Sequence, residues 1–338
     1  MRFVVVGAGA IGGYLGAKLA ISGETVAFIA RGRNLAAIRE HGMKLVLEDG
    51  SEEVAGGVKA FERLPEAGPQ DFVFLTVKAH QVSSVAAELE ACCEEHTAIV
   101  TTQNGIPWWY FQRSGGPFEG RTIRFADPDQ TIAKHIDPRR LIGSVVYPAA
   151  ELLSPGVVKI VEGNRFSLGE LDGASSQRVM TLSSILTRAG FKAPVVKDLR
   201  SEIWLKLWGS LSFNPISALT HATLVDICQF PSTRMLAEAM MTEAEAVADK
   251  LGVRIRIPIA KRIAGAERVG AHKTSMLQDV EHGRALELDA VLGSVAELAR
   301  MTETPAPHID AVYACASLLA KTLAHTKGRL RVEPSIIP

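Results

Sequence analysis

The pattern Gly7-x-Gly9-x-x-Gly12 stands between an apolar, β-branched run, 2–6, and a stretch of helical spacing, 14–22, that Gly23 closes. In that setting each glycine has a physical task. The first permits a tight strand-to-helix turn, the second lets backbone approach a pyrophosphate, and the third lets helix pack on strand. The helix N-terminus then offers N–H groups and a partial positive charge to phosphates. Gly7, Gly9, Ala10, Ile11 and Gly12 are therefore candidate cofactor-binding residues. The alternative, a purely structural glycine-rich turn, is disfavoured by the strand and helix on either side.

Further strands are expected at 25–30, 45–47, 72–76 and 98–102, with a helix at 82–92. Strand and helix in alternation imply a parallel sheet with helices on its faces. The segment 106–140 breaks that rhythm with Trp108-Trp109-Tyr110-Phe111, Gly115-Gly116-Pro117 and Asp127-Pro128-Asp129. Strands resume at 141–147, 157–161 and 165–168, followed by a helix at 175–190 and a last strand at 193–196. From Asp198 the spacing turns helical, at 199–219, 232–251, 274–282, 286–301 and 308–326. The expected fold class is an α/β N-terminal Rossmann-type domain with a mostly parallel sheet, 1–197, plus an all-α C-terminal domain, 198–338.

The chain has 338 residues, enough for two cores, and its composition of 47% hydrophobic and 22% charged residues is that of a globular protein. Lys plus Arg and Asp plus Glu number 37 each, so a neutral chain gives no support to nucleic-acid or membrane-surface binding. Cys92, Cys93, Cys228 and Cys315 show no metal-ligand spacing and read as free thiols of a reducing compartment. Met1-Arg2 run directly into the first strand, leaving no room for a signal peptide, so a cytoplasmic location is expected.

The end of the second strand bears on the choice of nucleotide. An NAD-binding chain usually places Asp or Glu there to hold the ribose hydroxyls. This one has Ile29-Ala30-Arg31-Gly32-Arg33, with no carboxylate. Arg31, with Arg33 as helper, suits a 2′-phosphate, and NADP is the expected cofactor. A charge-assisted hydrogen bond of ~1.5–3 kcal/mol gives roughly ten- to hundred-fold preference. Two solvated surface arginines are the alternative.

In the helical half, 203–215 is apolar on almost every side, yet Lys206, Ser210, Asn214 and Ser217 form one polar stripe on it. Pro215 is expected to break or kink the helix. A lysine on a buried helix costs free energy unless paired. Burial would lower its pKa and suit it to donate a proton to a carbonyl under reduction. Snorkelling to solvent or a structural ion pair is an equal reading of the residue alone.

Several motifs together resemble the ketopantoate reductases (2-dehydropantoate 2-reductases) over nearly the whole chain. They are Gly7 to Gly13, Val77-Lys78-Ala79-His80-Gln81, Gln103-Asn104-Gly105, Trp204 to Leu207 with Asn214-Pro215, and Thr274-Ser275-Met276-Leu277-Gln278-Asp279-Val280 running to Glu287-Leu288-Asp289. The resemblance implies that Lys206 is the catalytic lysine and that Glu287 holds a substrate hydroxyl, supports the lysine and reaches the cofactor. It implies that Ser275 binds the substrate carboxylate and that Asn104 serves both cofactor and substrate. Asn214, with Ser210 one turn after the lysine, falls in the substrate pocket, Lys78 and Gln81 flank the cofactor, and Arg31 takes the 2′-phosphate. The implied activity is NADPH-dependent reduction of 2-dehydropantoate, a step of pantothenate biosynthesis, on substrate bound in a cleft between the domains. No metal is implied, and a homodimer is one assembly open to the chain.

Asn104 and Lys78 each follow an expected strand, where open α/β sheets bind ligands. Taken without the family, Glu287 reads as a solvated helix glutamate and Ser275 as a helix-start cap. On one straight helix the two would stand about a third of a turn out of line, with Gly283 between them to allow a bend. The chain departs from the family at Ser210, where asparagine is common, and near Thr223-Leu224, where another asparagine is missing. Trp108, Trp109 and Tyr110 either shape a lid or pack as interface residues. Two other readings stay open: a reductase of another small 2-oxo acid, and a non-catalytic NADP-binding sensor.

Overall fold

A computed structural model describes residues 1–332; the end of the expected C-terminal domain, 333–338, lies outside the described residues. The chain forms two compact units, Met1–Ile123 with Asp127–Glu202, and Arg124–Ala126 with Ile203 onward.

The first unit carries β1 (Arg2–Val6), β2 (Thr25–Ile29), β3 (Met43–Val46), β4 (Glu52–Ala55), β5 (Lys59–Phe61), β6 (Gln70–Leu75), β7 (Cys93–Thr101), β8 (Leu141–Val146), β9 (Ala149–Ser154), β10 (Val157–Glu162) and β11 (Phe166–Glu170). Its main sheet has the order β11-β8-β7-β6-β1-β2-β5, and every pairing except β8 with β11 is parallel. Phe3, Val4, Val5, Phe72, Val73 and Phe74 are all buried, so these strands are apolar on both faces, as a covered parallel sheet requires. From β1 the chain moves to β2 on one side and later to β6 on the other. Strand order therefore reverses at β1, the usual ligand crevice of such sheets.

A second sheet, β4-β3-β10-β9, was not anticipated. It exists because α1 (Ala10–Ile21) is buried on two faces. Gly16 of α1 lies against the Phe28 ring and Val5 of the main sheet. On the other face, a Cβ at Gly13 would stand 2.7 Å from Val158 Cγ2 and 3.1 Å from Met43 Sδ, both of the second sheet. A helix so enclosed has little room for polar residues, and its one charged side chain, Lys18, pairs with Glu53 of β4 at 2.6 Å.

The unit also holds α2 (Gly32–His41), α3 (Ser83–Ala86), α4 (Thr131–His135) and α5 (Gln177–Arg188). The helix expected at 82–92 is only the short α3, flanked by 3₁₀ turns at Ala79–Gln81 and Leu89–Cys92. Val82, Val85, Ala86 and Leu89 are buried at the i, i+3, i+4, i+7 spacing that suggested one longer helix, but only its middle turn is α-helical. The strand expected at 193–196 pairs only through isolated bridges, Arg165 with Lys192 and Leu168 with Val195. Pro194 has no N–H to offer a ladder, although its carbonyl accepts from Leu168 at 2.9 Å. The aromatic run after Gly105 is packed inside this unit. Trp108, Trp109, Tyr110 and Phe111 are buried, Trp109 Nε1 donates to Thr101 Oγ1 at 3.0 Å, and Arg200 donates to the carbonyls of Tyr110, Leu171 and Gln112.

The second unit contains most of α6 (Leu199–Thr220), then α7 (Leu224–Gln229), α8 (Pro231–Lys250), α9 (Ile259–Val269), α10 (Ser275–His282), α11 (Ser294–Met301) and α12 (Pro307–Thr326), with no strand among its described residues. α6 does not break at Pro215 but runs through it to Thr220. Proline removes one helix hydrogen bond, yet Phe213, Ile216 and Ala218 around it are buried, and tertiary packing outweighs that local loss. The helix expected at 286–301 is instead an irregular segment, a π turn at Asp289–Gly293 and α11. Among the described residues no helix is long and apolar enough to cross a membrane.

Candidate functional site

The glycine-rich loop joins β1 to α1, and the chain folds so tightly there that side chains do not fit. Gly7 has φ +105°, and a Cβ on it would stand 2.8 Å from Val77 Cγ1 and 2.9 Å from Val77 N. A Cβ on Gly12 would overlap the Gly7 carbonyl and meet Thr76 Oγ1. Thr76 Oγ1 donates to the carbonyls of Gly7 at 2.7 Å and Val6 at 3.0 Å, fastening the loop to the end of β6. Gly9 is different: nothing lies within 4 Å of where its Cβ would be. It is the N-cap of α1, no side chain caps that helix, and its first turn has no acidic residue. An open approach over Gly9 to an uncapped helix N-terminus fits a pyrophosphate.

This contrast gives a stability test. Gly12→Ala is expected to destabilise the protein by about 1–3 kcal/mol through overpacking. Gly9→Ala, with open space at Cβ, is expected to leave the melting temperature unchanged and to weaken cofactor binding. Thermal melts and cofactor titrations of the two variants check both halves.

Neighbouring strand ends add polar groups. The Lys78 N–H donates to Gln81 Oε1 at 3.1 Å, so the Gln81 side chain shapes its own loop, while Lys78 is half-buried beside it. Gln103 Nε2 donates to the carbonyls of Leu75 at 2.7 Å and Val77 at 3.0 Å. Asn104 follows, half-buried, before Gly105 at φ +87°. Arg31 and Arg33 are exposed, Arg31 as the N-cap of α2 just past the end of β2. The adjacent strands β2, β1, β6 and β7 thus present Arg31, the glycine loop, Lys78 and Asn104 at their carboxyl ends. An adenine dinucleotide fits that set: backbone for the pyrophosphate, cations for phosphate, and no acid at the end of β2.

Two supporting residues were missed by sequence reasoning. Asn34 Nδ2 donates to the Ala8 carbonyl at 2.6 Å while its Oδ1 accepts from Gly156 N at 2.8 Å, bracing the glycine loop from α2. Thr76 does so from β6. Neither lies in a recognisable string, since each acts on backbone far away in sequence.

In the second unit, Trp204 and Trp208 anchor α6, with Trp208 Nε1 donating to the Met241 carbonyl at 2.7 Å. Lys206, Ser210 and Asn214 on the same helix each keep some accessible surface. Ser217 does not; it is fully buried and donates to the Ala222 carbonyl at 2.6 Å, a structural task. Burial of the Lys206 ammonium pushes its pKa down to about 8, and the Glu287 carboxylate opposes that fall. The structure therefore brings Lys206 and Glu287 into electrostatic contact from distant parts of the chain.

Glu287 lies in the segment between Gly283, at φ +65°, and the π turn. It is half-buried, not a solvated helix residue. Ser275 is the first residue of α10 and is exposed; the cap is Thr274, whose side chain accepts from Leu277 N at 3.3 Å. An ammonium with a pKa near 8, steadied by a carboxylate, is a competent proton donor close to neutral pH.

Residues 3–110 match the family described as Ketopantoate reductase PanE/ApbA, and residues 198–320 match its C-terminal counterpart, Ketopantoate reductase PanE/ApbA C terminal. A 2-dehydropantoate 2-reductase of Mesorhizobium japonicum is 51% identical over 321 residues, covering 95% of this chain and 98% of that protein. A crystal structure from Ralstonia solanacearum MolK2, assigned as a ketopantoate reductase, superposes with a TM-score of 0.91 at 37% identity, covering 96% of this chain and 98% of that one. The 2-dehydropantoate 2-reductase of Geobacter metallireducens gives a TM-score of 0.82 at 27% identity, with 94% and 99% covered.

Proposed function

The chain belongs to the ketopantoate reductase family of oxidoreductases, and we propose that it reduces the C2 carbonyl of 2-dehydropantoate to the alcohol of pantoate, using NADPH. The observation that carries this reading is the pair on the helical unit: Lys206, with its pKa brought to about 8, opposite Glu287. In this reading 1–197 hold the cofactor and 198–338 supply the reacting groups.

Bound NADPH supplies the hydride that reaches C2. Negative charge then develops on the C2 oxygen, and Lys206 Nζ both stabilises it and delivers the proton that completes the alcohol. Glu287 keeps Lys206 protonated in the resting state and accepts a hydrogen bond from a substrate hydroxyl. Ser275 takes the substrate carboxylate, and Asn104, Asn214 and Ser210 offer further hydrogen bonds to substrate. Gly7, Gly9, Ala10, Ile11 and Gly12 present backbone to the pyrophosphate. Lys78 and Gln81 would flank the cofactor, and Arg31 would pair with the 2′-phosphate.

Lys206 must carry its proton for reduction, so kcat/KM for reduction is expected to fall as pH rises through about 8. For the reverse oxidation it must be deprotonated, so that rate is expected to rise through the same pH. A pH-independent rate in both directions would remove Lys206 as the proton carrier.

A second reading, reduction of another small 2-oxo acid, is favoured by one observation. The missing family asparagine near Thr223-Leu224 falls where Thr223 is committed to capping α7, with Thr223 Oγ1 donating to Asp226 Oδ2 at 2.5 Å. NADPH oxidation against a panel of 2-oxo acids separates the readings. The proposal expects the highest kcat/KM for 2-dehydropantoate. A clear preference for another acid would move the assignment within the family, and NADPH binding without oxidation of any would leave a sensor.

A further inference from the structure

Resting on the reading of Lys206 and Glu287 as the reactive pair, we infer that the π turn Asp289–Gly293 is the device that aims Glu287 at Lys206, with Ser294, Tyr313 and the segment Arg124–Ala126 as its positioning residues. A π turn holds one more residue than an α turn. It therefore rotates everything before it by one position, about 100° around the helix axis. Glu287 stands two residues before the turn, and its carbonyl accepts from Val291 N at 3.3 Å, tying it to the turn. Relaxed to an α-helix, the segment would bring an apolar neighbour of Glu287, the half-buried Leu286 or the buried Leu288, to the face that Glu287 now occupies.

Such turns are rare, and this one is locked from three sides. Ser294 is fully buried, and both its N–H and its Oγ donate to the Asp289 carbonyl, the latter at 3.0 Å. Tyr313 of α12 donates its hydroxyl to Asp289 Oδ1 at 2.7 Å. Burial and Asp289 together push the Tyr313 pKa up to about 12, so it remains a donor across the working pH range. Phe125 packs edge-on against the Tyr313 ring at 5.7 Å and covers Gly293, where a Cβ would stand 2.7 Å from Phe125 Cδ1. Phe125 is held in turn by Glu297 of α11, whose carboxylate accepts from Arg124 N at 3.0 Å and Phe125 N at 3.1 Å. Three residues of the long excursion thus belong to the helical unit, where they close over the turn.

Arg262 of α9 packs against α6 at Gly209, three residues from Lys206. Glu287 faces Lys206, while Asp289 and Arg300 face Tyr313, and Arg300 pairs with Asp310 at 3.7 Å. Loosening the turn therefore acts on Lys206 through Glu287.

Tyr313→Phe, Ser294→Ala and Glu297→Gln each remove one lock, and Glu287→Gln removes the charge that the locks aim. The pH at which reduction falls off is expected to drop by about half a unit to one unit in the lock variants and by at least as much in Glu287→Gln. In Tyr313→Phe/Glu287→Gln it should drop no further than in Glu287→Gln alone. The same shifts should appear in the titration of Lys206 followed by NMR with ¹³C-labelled lysine, which needs no substrate. If the lock variants merely lower the melting temperature while both titrations stay put and Glu287→Gln moves them, the positioning role is overturned. Should one variant fail to fold, the other two decide. Wild-type protein that does not reduce 2-dehydropantoate would overturn the functional reading, and the NMR titration would still decide the role of the turn.

Discussion

Lys206→Ala is expected to lower kcat for 2-dehydropantoate by about 10²–10⁴-fold, the range for loss of a positioned general acid, with NADPH affinity nearly unchanged. The separation follows from where the groups lie. Lys206 is on α6 in the helical unit, whereas the glycine loop, Arg31, Lys78 and Asn104 belong to the first unit. Alanine suits a helix interior, so the fold should tolerate the change. Lys206→Arg sharpens the result. Arginine restores the positive charge but does not release its proton in the working pH range. If Lys206→Arg stays as slow as Lys206→Ala, proton delivery is the larger part of the role. If it recovers most of the rate, the ammonium acts as a fixed cation. Single-turnover reduction, paired with cofactor titration by fluorescence, measures both quantities. Unchanged turnover in Lys206→Ala would remove the residue from the chemistry.

The second large effect concerns the nucleotide. Arg31→Ala is expected to weaken NADPH by roughly ten- to hundred-fold while changing NADH little, because only NADPH has the 2′-phosphate to lose. Arg31 is exposed at the N-cap of α2, where water screens the pair, so the lower part of that range is expected. Arg33, two residues on and also exposed, should show a smaller loss of the same kind. Equal losses for both nucleotides would mean that Arg31 shapes the loop and does not read the phosphate.

The legible part of the fold was the part whose signal is local. Gly7, Gly9 and Gly12 announce a turn because their positions have steric meaning within a few residues, and the apolar runs of β1, β6 and β7 announce a covered sheet. What escaped was set by distant partners. The second sheet depends on α1 needing cover for Gly13 and its neighbours, and its edge strand β4, Glu-Glu-Val-Ala, has no apolar run of its own. α2 offers only Leu35 and Ile38 to the core, too little to stand out as periodicity. A break at Pro215 does not occur, since a proline rule is local while the packing of α6 is not. The site divides in the same way. Lys206 was visible as a lysine in an apolar helix, but its pairing with Glu287 came only from family resemblance, because nothing local links two residues so far apart. Asn34, Thr76 and Tyr313 act through hydrogen bonds to groups remote in sequence, which no spacing encodes.

If hydride passes from NADPH to C2 of 2-dehydropantoate, a label on the nicotinamide must appear in the product. Reduction with NADPH deuterated at C4 of the nicotinamide, in ordinary water, tests it directly by mass spectrometry and NMR of the product. Pantoate carrying one deuterium at C2 is expected when the correct face of the nicotinamide is labelled, and none when the other face is. Product without deuterium from either labelled cofactor, or no product at all, would contradict it.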